Sequence, residues 1–193
     1  MTNIWKRNIW FTSDHHWNHA NFLFFKDEGG ERIRKEFDSV IEMDEAMIER
    51  WNDRVGQHDI VYHLGDVCFG RVDRFNEIVS RLNGRKRLVM GNHDRYDIGS
   101  YAKHFLIRPS GRHFGNDMTG CDISFLVSHI PLHPDSVRNS HTTGPVFNLH
   151  GHLHRKKLDG PYLNVCVENT DYAPISMEEV VNRLNEKNWA RIV

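Results

Sequence analysis

Long apolar runs are missing from this chain. No stretch approaches the roughly 18 residues that a membrane span needs, and the opening Met1-Thr2-Asn3-Ile4-Trp5-Lys6-Arg7 lacks the apolar segment of a signal peptide. The expectation is a cytoplasmic protein with no membrane partner. An excess of one charge is missing too: 25 Lys and Arg face 26 Asp and Glu, a net charge of −1. That removes the global field a protein would use to hold long nucleic acid or an anionic membrane surface, so any polyanion binding must be local. Cysteine is scarce, and Cys68, Cys121 and Cys166 are odd in number and far apart. They form no Cys-x-x-Cys pair that would suggest a zinc knuckle or redox couple, and read as small buried hydrophobes in a reducing compartment. Repeats, low-complexity tracts and linkers are absent as well. A chain of 193 residues suits one core better than two, so one domain over residues 1–193 is expected.

Histidine is what the chain has in plenty, with 14 residues, and position decides what they mean. Ile9 to Thr12 form a first apolar run, followed by Ser13-Asp14-His15-His16. An aromatic connection, Trp17 to Phe25, and a charged stretch, Asp27 to Arg34, read as a loop. Val40, Met47, Ile48, Trp51 and Val55 share one stripe of a helix, with Asp38 as its expected N-cap and Gly56 as its stop. Ile60 to Leu64 form a second strand ending in Gly65-Asp66, and Phe75, Ile78, Val79 and Leu82 a second helix closed by Asn83-Gly84. Leu88, Val89 and Met90 make a third strand that turns at Gly91 into Asn92-His93-Asp94. The pattern weakens until Ile123 to Ser128, ending in His129. Pro131 to Pro145 reads as a surface loop, Val146 to Leu149 lead into His150-Gly151-His152-Leu153-His154, and Tyr162 to Val167 give another strand. Ser176 with Glu179 forms a capping box for a last helix. Strands alternating with helices argue for a layered α/β fold.

Five apolar runs thus end in the same chemical types: Asp14 and His16; Asp66; Asn92 with His93 and Asp94; His129; His152 and His154. In open α/β sheets ligands bind beyond the carboxyl ends of the strands, so residues at successive ends converge. One such end could be a polar turn, but five argue for a shared site. Excluding His93, two carboxylates, one amide and four imidazoles suit first-row divalent metals such as Mn²⁺, Fe²⁺ or Zn²⁺. Seven donors exceed a single zinc site unless a carboxylate bridges two ions, and Asp66, alone on a central strand, is the natural bridge. Two ions roughly 4 Å apart can hold a hydroxide and clamp the oxygens of an in-line phosphoryl displacement. His93, beside Asp94 as its orienter, reads as a catalytic acid.

Asp14-x-His16, Gly65-Asp66, Gly91-Asn92-His93-Asp94, His129 and Gly151-His152-x-His154, in that order, resemble the calcineurin-like metallophosphoesterases, over roughly residues 8 to 167. The stretch Phe37 to Val67 also looks like small bacterial and phage members. The resemblance implies a β-sandwich flanked by helices, in four layers α/β/β/α. It implies that Asp14, His16 and His154 hold a first metal, that Asn92, His129 and His152 hold a second, and that Asp66 bridges them. Mn²⁺ is the expected ion, with Fe, Zn, Ni or Mg as alternatives. The expected activity is hydrolysis of phosphodiesters, of a nucleotide or short nucleic acid, by a metal-bound hydroxide with His93 protonating the leaving oxygen and Asp94 orienting it. A phosphomonoesterase, a non-catalytic scaffold and a structural zinc protein are the alternatives. The chain departs from members with a charge soon after Gly-Asp: Val67, Cys68 and Phe69 follow here, which leaves Arg71 as the phosphate contact to test, with His19 as a second substrate-binding candidate. Of the other histidines, His15, His63 and His150 adjoin site strands, while His58, His104, His113, His133 and His141 read as surface or loop residues. Arg85-Lys86-Arg87 reads as a solvated face. Arg155-Lys156-Lys157 does too, although its position after the last motif could attract an anion. Trp17, Phe22, Phe24 and Phe25 are expected in the core rather than stacked on a base.

Overall fold

Three of the apolar runs lie side by side as parallel strands, β1 (Ile9–Thr12), β2 (Ile60–His63) and β3 (Arg85–Val89), in the computed structural model, which describes residues 8–137 and 146–187. With β4 (Leu106–Arg108) and the antiparallel β9 (Ile175–Ser176) they make a five-stranded sheet in the order β4-β3-β2-β1-β9. A second sheet, in the order β5-β6-β7-β8, consists of β5 (Arg112–Phe114), β6 (Ser124–Val127), β7 (Val146–His150) and β8 (Tyr162–Asn164). Its last three strands are parallel.

The alternation of side chains along the first sheet builds two cores. Val61 and Leu88 face Met43, Met47 and Trp51 of α1 (Val40–Arg54) and Phe75, Ile78 and Val79 of α2 (Val72–Ser80). Phe11, Tyr62 and Val89 face the other way, onto Phe114, Phe125, Phe147 and Leu149 of the second sheet. A parallel sheet covered on both faces needs such near-continuous apolar runs. Phe11 meets Phe114 edge-on at 5.3 Å and Phe114 stacks on Phe125 at 4.9 Å, contacts that add about 0.5–1.5 kcal/mol each beyond area burial. Val180 and Leu184 of α3 (Met177–Glu186) complete this inter-sheet core.

The mixed α/β architecture with two sheets agrees with the expectation, and several details correct it. Helix α1 is capped by Ser39, whose hydroxyl accepts from Glu42 N–H at 3.1 Å, rather than by Asp38; Glu42 in turn accepts from Asp38 N–H. Val55, in an extended conformation, ends that helix one residue before Gly56. β3 starts at Arg85, so the basic triplet is strand; Arg85 is exposed as expected, whereas Lys86 Nζ donates to Leu82 O at 2.7 Å and Arg87 to the Tyr62 hydroxyl at 2.6 Å. The capping box of Ser176 and Glu179 opens α3 as expected. The loop after β6 packs against the second sheet, with Leu132 N–H bound to Asn148 Oδ1 at 2.8 Å and Tyr162 Oη donating to Leu132 O at 2.9 Å. Residues 138–145 of the expected 131–145 loop, including His141, lie outside the described residues. No helix among the described residues is long and apolar enough to cross a membrane.

Candidate metal centre

Because β1, β2 and β3 pair in register, their ends align, and Ser13 is bridged to Cys166 at the end of β8, which brings the second sheet's ends alongside. Backbone hydrogen bonds lace the loops together: Asp14 N–H to Gly65 O at 3.0 Å, His16 N–H to Asp66 O at 3.1 Å and Gly151 N–H to His129 O at 2.9 Å. The loops approach so closely that a Cβ on Gly91 would lie 2.5 Å from the Asp66 nitrogen, and one on Gly151 would overlap Ser13 and Asp14 side-chain oxygens. Asp14, His16, Asp66, His152 and His154 all have φ between +48° and +70°. Such conformations cost non-glycine residues roughly 1–3 kcal/mol each and gather where function dictates a side chain's direction. Five of the seven expected ligands adopt them.

All seven expected ligands come together. Asp66 Oδ2 lies 3.5 Å from His16 Nε2 and 3.4 Å from His129 Nε2, between the two groups. Asp14 Oδ1 is 3.6 Å from His16 Nε2 on one side. On the other, Asn92 Oδ1 is 2.8 Å from His129 Nε2 and 3.0 Å from His152 Nδ1. Donor atoms of Asp14, His16 and Asp66 lie within 4.8 Å of one another, as do those of Asp14, His154 and Cys166. Asp14 Oδ1 and His16 Nε2 are buried without a hydrogen bond, a cost of roughly 1–3 kcal/mol apiece that a cation between them would remove. Oxygen and imidazole donors fit a first-row divalent ion.

Charge is arranged for cations. Burial raises the Asp14 carboxyl's affinity for a proton, but His16, His129 and His154 together hold it far below the ordinary carboxylate range. Asp66 is likewise lowered, burial being outweighed chiefly by His129. Burial would depress His129, yet Asp66 and Asp14 push it up to about 9. His129 Nδ1 faces Leu64 O at 2.7 Å, which turns Nε2 toward the centre, and His154 Nδ1 faces Glu168 Oε1 at 3.2 Å. Such outer partners fix the tautomer and ring orientation of a ligand histidine.

The outer partners include residues that the sequence did not single out. Arg34, in the stretch read as an exposed loop, has a fully buried side chain. It binds Glu168 Oε1 through Nε and Nη2 at 2.9 Å each, and donates at 2.6 Å to the carbonyls of both Asp14 and His15. Nothing in the spacing of a lone Arg within a charged run distinguishes it from a surface residue. Cys166, expected as an inert core residue, has its Sγ 3.2 Å from Asp14 Oδ2.

Asp94 does not touch the His93 ring. Its buried carboxylate accepts from the N–H groups of Asp66 and Gly91 at Oδ2 (2.9 and 2.8 Å) and of Val67 at Oδ1 (2.9 Å), so it pins the Gly65-Asp66 turn rather than orienting the imidazole. Three consecutive polar residues, Asn92, His93 and Asp94, offered the nearest neighbour as partner; the turn at Gly91 sends the carboxylate back under the loop. His93 keeps its N–H on Asp66 Oδ1 at 2.8 Å, and its ring makes no hydrogen bond to a described residue. Arg71 points away, 88% exposed and paired with Asp73 at 3.2 Å. Arg155 and Lys156 are matched by Asp27, Glu36 and Glu28. His19 lines the cleft beside the centre. His15 and His63 form a buried pair, Nδ1 to Nε2 2.9 Å, behind the site, and His104 is half-buried on Asn76. Trp17 and Phe22 are buried as expected, whereas Phe24 and Phe25 are exposed.

No protein-family model matches the chain. It is 29% identical to an uncharacterized protein of Methanocaldococcus jannaschii over 97% of each chain. It is also 29% identical to the Gene 66 protein of Mycobacterium phage L5 over 76% of this chain and 77% of that one, and 37% identical to the Gene 66 protein of phage D29 over 46% of this chain and 41% of that one. Among solved structures, a protein of unknown function from Aquifex aeolicus superposes with a TM-score of 0.66 at 24% identity, covering 92% of this chain and all of that one, and shares its fold.

Proposed function

We propose that this chain is a calcineurin-like, dinuclear-metal phosphoesterase that acts on phosphodiesters. The observation that carries the reading is the convergence of seven donors from five strand ends, Asp66 lying between His16 and His129, with buried donor atoms left without a partner. Two packed sheets with helices on one outer face support it as well. Asp14, His16 and His154 would hold one ion and Asn92, His129 and His152 the other, with Asp66 between them. Bound divalent ions supply Lewis acidity, polarising a phosphoryl oxygen and acidifying water.

The chain's own residues do the rest. Arg34 and Glu168 fix the Asp14 and His154 side of the cradle, and Asp94 fixes the turn that presents Asp66. In hydrolysis, water adds to phosphorus, the bond to the departing oxygen breaks, and that oxygen leaves with a proton. His93, whose ring lies 5.6 Å from that of His16 and is not tied to a described partner, donates that proton. The test is metal content together with turnover of bis(4-nitrophenyl) phosphate after chelation and return of Mn²⁺. Two ions per chain and restored turnover are expected. One tightly held zinc without turnover would replace the reading with a structural zinc site, and turnover of monoesters alone would move the substrate to phosphomonoesters.

A further inference from the structure

Beside the centre a cavity of about 440 Å³ opens between His16, His93 and His154 at its floor and a set of aromatic rings. The rings form a path from solvent inward. Phe25, 42% exposed, lies 5.7 Å from His19; His19 lies 4.0 Å from Phe69; and Phe69 lies 5.4 Å from His93. Phe22 backs the path, buried, with the Arg34 guanidinium 4.2 Å from its centroid. Lys26, next to Phe25, also lines the cavity and makes no ion pair with a described residue, whereas nearby Arg155 and Lys156 are matched by carboxylates. On the opposite side, at Asn92 and His129, a cavity of about 460 Å³ is lined by Met90, Ile130, Pro131 and Leu132, with no phenyl ring. The two sides of the centre therefore offer different surfaces, and among the described residues the His93 side is the one that combines phenyl rings, tilted or edge-on to one another, with a lysine outside any ion pair.

We propose that the cleft of Phe25, His19, Phe69 and Lys26 is a subsite for the base of a nucleoside whose oxygen is the one that leaves phosphorus. It rests on the phosphoesterase reading above and adds which ester is cleaved. The exposed Phe25 ring offers a face on which a planar base stacks, a contact indifferent to base identity, and Lys26 attracts an anionic group to the cleft mouth. A nucleoside held there sets its departing oxygen beside the proton donor. Hydrolysis of a nucleoside methyl phosphate then adds water to phosphorus, breaks the bond to the nucleoside oxygen and gives nucleoside plus methyl phosphate.

The experiment has two arms on the full-length, Mn²⁺-loaded protein. In the first, deoxyadenosine 5′-monophosphate and deoxyribose 5-phosphate are bound by calorimetry to wild type, Phe25→Ala and Phe25→Tyr. The base-bearing ligand should bind about tenfold tighter, an advantage lost in Phe25→Ala and regained in Phe25→Tyr; equal affinities for the two ligands in wild type would overturn the proposal. In the second, thymidine 3′-(methyl phosphate) is digested and the products identified. Thymidine and methyl phosphate are expected, and thymidine 3′-phosphate with methanol would place the base on the other side and overturn it. A base preference in binding with no turnover of any phosphoester would remove the phosphoesterase reading and leave the base site standing. Turnover without base preference would do the reverse.

Discussion

Asp14 and His16 lie under the fold with almost no exposure, whereas Asn92 is open to solvent and His152 is half-exposed. The buried half is held from behind: Arg34 binds the carbonyls of Asp14 and His15 and the Glu168 carboxylate, and Glu168 binds His154. The open half has no such scaffold beyond the Leu64 carbonyl on His129, and its donors Asn92, His129 and His152 lean on one another. A cradle set in advance loses less freedom when it takes an ion, so under the proposed reading the Asp14 half fills first and the Asn92 half exchanges.

The largest effect is expected at His93, beside His16. His93→Ala should retain both metals and lower turnover by roughly 10²–10⁴-fold. The loss should be smaller on a nitrophenyl ester, whose phenolate departs unaided, than on an alkyl ester of the same phosphate. Equal losses would give His93 a positioning role, and loss of an ion would make it a ligand. Next comes the buried half. Arg34→Met leaves the Glu168 carboxylate buried without its guanidinium, with His154 alone beside it, and should cost about 3–5 kcal/mol of stability in urea unfolding, with part recovered when Glu168→Gln is added. An unchanged urea midpoint would show that the scaffold behind Asp14 does not hold it.

These residues also mark how much was legible beforehand. The donors were readable because each follows an apolar run that had to be a strand, and strand ends converge on one edge. Arg34, Glu168 and Cys166 were not, since their roles depend on contacts 134 and 152 positions apart in sequence for Arg34 with Glu168 and Asp14 with Cys166. Asp94 was misread for the same reason: sequence adjacency to His93 suggested a pair, while the Gly91 turn carries its carboxylate to the Asp66 loop. Helices of nine or more residues and strands of four or more lie close to the expected bounds, except β3, whose first three residues, Arg85 to Arg87, carry no apolar side chain to mark a strand. β4, β5 and β9, with three, three and two residues, are too short to show a period.

A smaller effect is expected from pH, on the metal-free protein. Burial pushes His63 down to about 3 and His15 well below its ordinary value. The unfolded chain therefore takes up protons that the folded one refuses, and stability present above about 6.5 falls as pH drops toward 3. His129 is raised to about 9, so its contribution is full below about 6.5 and disappears as pH rises through 9. Urea midpoints should peak near neutrality and fall on both sides; a midpoint flat from pH 7 to 5 would contradict the neutral buried pair. Smallest is a labelling contrast. Burial raises the Cys68 thiol to about 12 and Cys166 well above its usual value, whereas Cys121 is partly exposed. A maleimide at pH 8 should label Cys121 first in the folded protein, and equal labelling of all three would show the Cys166 side to be as open as the rest.

Asp66 is where the two halves meet, and Asp66→Ala tests that junction most directly. Metal content measured on purified wild type and variant after Mn²⁺ loading and removal of free ion should give two ions per chain in wild type. The variant should lose both, or keep one weakly, with turnover abolished. An Asp66→Ala protein that holds two ions per chain and turns over a phosphodiester near the wild-type rate would contradict a centre built across Asp66.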